Sequence, residues 1–430
     1  MSNHNADKSN QWILTTLTPL HIGTTDNILD YEYVYDKNNQ RVYVLDLDKV
    51  AEHQSVDPEE FVDNIQQRSF DIKWFLDEKR IELEEVKLYS ARCDFTPQGQ
   101  IRAFIKHLYQ DCYVPGTTLK GAIRTALLWK MLRENPEALV MVGYSNYFAD
   151  HLKDYRKYGS KPRTQLVTLA ELLEKSKKEA KSYLSVLYEL CGKNLEKAEA
   201  GNSDAFLDPE TIKELTPFSK DERYVAKETI EKLFGSEPHL DLMRSLYVSD
   251  SELMRTGALH VIKVDVYKKN LLNPIFEELV EVIPKGESLN INLDIDSFLF
   301  SERAEEKLKF SKKKHYIDPD QDFFTICNNF SLWFLKQEEK FYRDGGFENT
   351  ADWCAERAEE TKELSNACFL PIGWGTGWRG KTVGKEIQAQ LSYLFDTLCK
   401  QYEVKDPITR KLTQITKLPL GWIKLKRGKE

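Results

Sequence analysis

The first hundred residues carry short apolar-rich runs separated by polar clusters, the pattern of strands and turns. Trp12–Leu17 is one such run and stops before Pro19. Tyr31–Tyr35 and Arg41–Leu47 alternate around Asp36-Lys37-Asn38-Asn39, whose residues favour turns, so the two are expected to form a hairpin. Pro58–Gln67 and Lys73–Leu83 read as helices. Val86–Phe95 and Gln100–Leu108 are expected as a second pair of strands around Thr96-Pro97-Gln98-Gly99. Val114-Pro115-Gly116-Thr117-Thr118-Leu119-Lys120-Gly121 then leads into Ala122–Arg133, where Ile123, Ala126, Leu127 and Met131 mark one helical face. Thr117 or Thr118 is the expected N-cap.

From about Pro136 to Gly235 the chain turns to Lys, Glu, Ala and Leu, as in Leu166–Leu190, and no strand pattern is visible. A large helical insertion is expected there, with charge runs such as Glu174–Lys181 on solvated faces. Strand character returns at Leu246–Ser249, Leu259–Tyr267, Glu278–Ile283 and Leu289–Ile295, the last two expected as a hairpin through Pro284-Lys285-Gly286. Phe323–Phe341 and Trp353–Leu364 are expected helices. The glycine-rich stretch Gly373–Gly384 precedes an expected helix, Lys385–Tyr402, and Leu420–Leu425 reads as an edge strand before a basic tail, Lys424–Lys429. The order suggests an α+β fold of two RRM-like (ferredoxin-like) halves with a large helical insertion. The expected division is residues 10–270, holding the insertion at about 136–235, and residues 271–430, holding the glycine-rich loop.

Composition narrows the class. The 430 residues are 41% hydrophobic and 30% charged, enough apolar material for a sizeable core and too much for a disordered chain. No apolar run approaches the roughly 20 residues that span a bilayer. The N-terminus lacks an apolar h-region, so no signal peptide is expected. The seven cysteines are odd in number, widely spaced and without Cys-x-x-Cys, which argues against a disulfide framework or a zinc site and for reduced thiols in a cytoplasmic protein. The histidines show no paired spacing for a metal, and no cofactor is expected. A net charge of −8 counts against a basic nucleic-acid coat. It leaves room for a local basic groove, with acidic surface facing basic partner subunits.

The strongest local chemistry is Pro371-Ile372-Gly373-Trp374-Gly375-Thr376-Gly377-Trp378-Arg379-Gly380-Lys381-Thr382-Val383-Gly384. Glycines allow close backbone approach, successive N–H groups make anion nests, Arg379 and Lys381 add charge, and Trp374 and Trp378 are candidates to stack on bases. Gly375–Thr382 also fits G-x-x-x-x-G-K-[ST], but a P-loop follows a buried strand of a large parallel core. Here the loop is preceded by a short stretch broken by Pro371, and no downstream carboxylate for Mg²⁺ is apparent. Pro115–Gly121 repeats the same logic in shorter form: Gly116 and Gly121 bracket Thr117, Thr118 and Lys120, with Arg124 one turn on. A rival in another class is a metal-independent endoribonuclease with His21 as general base or acid, helped by Lys120 or Tyr113.

Leu17-Thr18-Pro19-Leu20-His21-Ile22-Gly23, Val114–Arg124, Leu246–Ser251 and Gly373–Gly384 together resemble the RAMP superfamily of CRISPR proteins, and are most similar in order to Csm subunit five of type III-A effector complexes. The resemblance runs from about Trp12 to Ile423. It implies RRM-like domains and a non-catalytic, cytoplasmic subunit that caps the 3′ end of the guide crRNA. The implied partners are the crRNA, the backbone RAMP subunit and the small subunit, with target RNA and guide-trimming nucleases as further candidates. Carried onto this chain, it implies that Gly116, Lys120, Gly121 and Arg124 line the guide path and that Gly375, Gly377, Arg379 and Lys381 form a second element. His21, Thr117, Thr118, Thr376 and Trp378 complete the expected RNA-binding set.

Overall fold

The first strand, β1 (Gln11–Thr16), buries Trp12, Leu14 and Thr16 and leaves Ile13 outside, the period of two that a half-covered sheet requires. In this computed structural model β1 is central to a five-stranded antiparallel sheet. It lies between β10 (Ser288–Ile295) and β13 (Trp422–Arg427), with β7 (Leu246–Val248) and β11 (Ala367–Pro371) at the edges. The second sheet runs in the order β2 (Gly23–Ile28), β6 (Ile101–Phe104), β9 (Phe276–Val282), β8 (His260–Lys268), β5 (Lys87–Arg92), β4 (Arg41–Leu45), β3 (Tyr33–Asp36). An eighth strand, β12 (Thr409–Thr413), pairs with β8. The structure describes residues 11–67, 70–134, 230, 233–268, 273–384, 386 and 409–428. Most of the expected insertion and the expected helix Lys385–Tyr402 lie outside them.

Four short helices follow β4: α1 (Leu47–Ala51), α2 (Pro58–Ile65), α3 (Ile72–Lys79) and α4 (Leu83–Val86). Asp46, Asp57 and Asp71 cap the first three through side-chain oxygens on backbone N–H groups. Phe61, Phe75 and Leu76 give this group its own small core. The main core lies around α5 (Gly116–Glu134), whose Leu119, Ile123, Ala126 and Leu127 are fully buried with residues of both sheets. The short α6 (Glu302–Leu308) and α7 (Lys314–Ile317) lead to α8 (Phe323–Asp344), which packs on α9 (Glu348–Glu363) and on β11. Edge strand β11 has its free backbone groups taken by α8: Asn328 Nδ2 donates to the Ala367 carbonyl at 2.9 Å and Ser331 Oγ to that of Phe369 at 2.5 Å. A strand edge satisfied in this way is closed to further pairing.

Several local expectations are corrected. β5 and β6 both form but do not pair with each other, because β8 and β9 lie between them. The Pro284-Lys285-Gly286 turn joins β9 to β10 across two sheets instead of closing a hairpin. Thr16 fixes that crossing by donating from Oγ1 to the Pro284 carbonyl at 2.7 Å and accepting the Gly286 N–H at 2.8 Å. β13 is an interior strand, flanked by β11 and β1, where an edge was expected. A turn signal in a sequence marks a reversal and carries nothing about which strand becomes the neighbour.

Candidate nucleic-acid interface

Gly116 opens α5 against β7. A Cβ there would stand 2.4 Å from the carbonyl oxygens of Val248 and Ser249, so nothing larger fits without backbone movement. Its N–H donates to Asp250 Oδ1 at 2.8 Å. The helix therefore starts ahead of the expected threonine caps: Thr117 is exposed within the first turn, and the Thr118 N–H donates to the Pro115 carbonyl at 3.0 Å. Gly121 lies exposed on the helix with open space around it. Arg124 Nη1 pairs with Asp241 Oδ2 at 2.7 Å, and its guanidinium lies 4.2 Å from the Phe234 ring centre. Burial lowers the pKa of the Lys120 ammonium, while Asp241 pulls it back up. Burial does the same to Lys313, and Asp241 opposes it there too. Asp241 is thus paired to Arg124, and its charge also favours the ammonium forms of Lys120 and Lys313.

The second loop is tied to the first strand region by backbone. Gly373 has φ 76°, a left-handed conformation that suits glycine, and a Cβ there would meet the His21 carbonyl at 2.4 Å. The Trp374 N–H donates to that same carbonyl at 2.9 Å. The indole packs with Ile262, Val264, Val280 and Val282 on one face of the larger sheet. Lys411 Nζ stands 3.6 Å from its ring centre and the Arg102 guanidinium 5.1 Å. These cations take up the indole, so Trp374 serves as their anchor more than as an open stacking platform. Arg102 donates from Nε and Nη2 to Glu278 Oε1 at 2.9 and 2.5 Å. Burial lowers the pKa of Lys411; Glu278 opposes this, and Arg102 and Lys381 reinforce it. Lys381 is exposed at the end of α10 (Gly377–Lys381), and among the described residues no carboxylate lies within salt-bridge distance of it.

Gly375, Thr376 and Arg379 face inward, whereas Gly377 is exposed with open space around it. Gly375 lies against Leu420, Gly377 begins α10, and buried Thr376 donates from Oγ1 to the Gly373 carbonyl at 3.0 Å. Arg379 is buried, with Nη1 3.8 Å from Glu338 Oε1 and its guanidinium 5.3 Å from the Phe341 ring centre. Glu338 in turn accepts from Arg410 Nε and Nη2 at 2.6 and 2.8 Å. These groups line a cavity of about 90 Å³ beneath the loop. The side chain of Trp378 lies outside the described residues. α10 packs on α5, but among the described residues no hydrogen bond or ion pair joins Lys120 or Arg124 to the second loop. Sequence reasoning passed over Arg102, Lys313 and Lys411, isolated cations whose only signal is the spatial convergence itself.

His21 is buried. Its Nδ1 lies 2.7 Å from the Glu281 carbonyl, an acceptor, so Nδ1 carries the proton. Burial, above all, lowers its pKa to about 4 despite that bond, and Arg102, Lys106 and Lys411 push the same way. Among the described residues no contact links it to Lys120 or Tyr113. The Walker-like stretch fares similarly. β11, the strand before it, is an edge strand antiparallel to β13, whereas a P-loop follows a buried strand of a parallel core. No group of histidine, cysteine or carboxylate side chains suited to a metal occurs among the described residues, and no described helix is long and apolar enough to cross a membrane.

The RAMP superfamily model matches residues 13–379, ending within the second loop. Two solved structures share the fold. One is a chain of a Csm-crRNA-target RNA ternary complex of a type III-A CRISPR-Cas system, at 22% identity and TM-score 0.63, covering 97% of this chain and 100% of that one. The other is Csm5 of T. onnurineus, at 20% identity and TM-score 0.57, covering 96% and 99%. No curated protein matches the sequence. With the family model extending over most of its length, the chain belongs to the RAMP superfamily.

Proposed function

We propose that this chain is a non-catalytic, RNA-binding subunit of a type III-A CRISPR (Csm) effector complex, capping the 3′ end of the guide crRNA and contributing to assembly and guide maturation. The observation that carries this role is the gathering of Arg102 and Lys411 over Trp374 at the second glycine loop, with Lys381 close enough to Lys411 to oppose its charge and Glu278 paired to Arg102. Arg102 and Lys411, partly withdrawn from water, gain most from a phosphate, which restores the charge balance lost on leaving water, and exposed Lys381 adds to it. The full-length likeness to a chain of a Csm-crRNA-target RNA complex supports crRNA and neighbouring Csm subunits as its partners, with target RNA close by. Weak base specificity is expected, since the cluster offers charge and no base-edge readout.

The test is guide occupancy and 3′-end length in complexes assembled with the wild-type chain or with Lys381→Gln and Lys411→Gln combined. Lower occupancy or altered 3′ ends, without RNA cleavage by either sample, supports the role. Unchanged guides place the RNA path elsewhere, and metal-independent cleavage would make the chain a nuclease.

A further inference from the structure

Helices α2 and α3 form a surface of another kind. Trp74, on α3, is 60% exposed, although tryptophan is usually well buried. One turn before it on the helix is Asp71, and one turn after it are Asp77 and Glu78, all exposed. Such i±3 and i+4 positions share a helix face with it. The helix is held rigidly: Asp71 caps it at 2.9 Å on the Lys73 N–H, Phe75 packs on Phe61 at 5.3 Å between ring centres, and Lys79 Nζ pairs with Glu60 of α2 at 2.7 Å. α2 exposes a further apolar residue, Val62, at 53%. The charge around this face is one-sided. Asp46–Glu85 holds 13 Asp and Glu against 5 Lys and Arg, an excess equal to the net −8 of the entire chain.

We infer that the α2–α3 face, centred on Trp74, docks a basic protein surface. The occupant has an apolar recess for the indole and Arg or Lys side chains around it. Charge decides among occupants, since so acidic a face repels RNA and anionic lipid and disfavours a second copy of itself. An exposed indole rimmed by carboxylates suits an arginine-bearing partner twice over, through ring and rim, and buried Trp–Arg contacts dominate many interfaces. The inference rests on the assembly part of the role proposed above and assigns that assembly to a face remote in chemistry from the glycine loops.

The test uses the full chain, co-expressed with the other subunits of its effector complex and a guide. Incorporation is compared for wild type, Trp74→Ala, and Asp71→Asn/Asp77→Asn/Glu78→Gln, with Lys381→Gln/Lys411→Gln as the RNA-site control. At least a tenfold fall in incorporation for both face variants is expected. The charge variant should recover least at low salt, where wild type gains most. Because asparagine keeps the capping oxygen of Asp71 and the other three side chains are exposed without a structural role, thermal unfolding of the isolated variants should match wild type. Equal incorporation of wild type and face variants overturns the inference and leaves the proposed role standing. Failure of wild type itself to join the complex overturns both. An isolated wild-type chain that dimerises, and a Trp74→Ala chain that does not, would make the occupant a second copy and overturn the basic partner.

Discussion

At the scale of single residues, burial separates the conspicuous side chains into inward-facing and accessible ones. His21 looked like a base in sequence, yet its Nδ1 is held by the Glu281 carbonyl and its pKa is lowered to about 4 from 6.5. The unfolded chain takes up that proton first. The stability contributed by neutral His21 is therefore complete above about pH 6.5 and lost as pH falls toward 4. At full development the loss is about 3 kcal/mol. Denaturant unfolding at about pH 7 and about pH 5 should show wild type losing stability on acidification and His21→Gln losing much less. A wild-type slope no steeper than that of the variant would mean the imidazole is not held neutral. The buried Arg379, beside Glu338, belongs to the same class of inward-facing charge.

Elements show how far sequence carries and where it stops. Many strands and helices were legible because burial alternates as their periods demand, as at Trp12 and Leu14 in β1 or Leu119, Ile123 and Ala126 in α5, whereas β2, mostly exposed, β11, buried throughout and ending on Pro371, and β12 carry no such alternation and were not read as strands. Neighbours were not, since β9 and β10 are joined by a tight turn yet pair in different sheets. The same divide separates the glycines. Gly116 and Gly121 look alike in sequence, but one abuts two carbonyls and the other faces open space. Gly116→Ala should therefore destabilise the fold by about 1–3 kcal/mol or more through overpacking. Gly121→Ala, in a helix interior, should stabilise it by about 0.5–1 kcal/mol. If Gly121 also lies on the RNA path, its alanine variant should bind RNA less well while melting higher. A higher melting temperature with unchanged RNA affinity would take Gly121 off that path.

Over the whole molecule, charge is sorted rather than averaged. The acidic excess is matched by the Asp46–Glu85 segment alone, so the rest of the chain is near neutral and its cations are free to cluster. Two groups result, Arg124 paired to Asp241 with Lys120 and Lys313 in reach of the same charge, and Arg102, paired to Glu278, with Lys411 and Lys381 beyond it. A single strand touching both should bind with a salt dependence set by the phosphates they neutralise. Each lost contact should flatten the log–log slope by about 0.7 for single-stranded RNA. Lys381→Gln/Lys411→Gln should accordingly flatten the slope by about 1.4, and adding Lys120→Gln by about 0.7 more. Arg379→Gln should behave differently. It weakens a buried cluster with Glu338 and Arg410, and losing one partner from a buried ion pair costs about 3–5 kcal/mol. The melting temperature should fall while the salt slope of the folded protein stays put. If Arg379→Gln flattens the slope and the two lysines do not, the phosphates lie inside the cavity beneath the loop and not on the cations around Trp374.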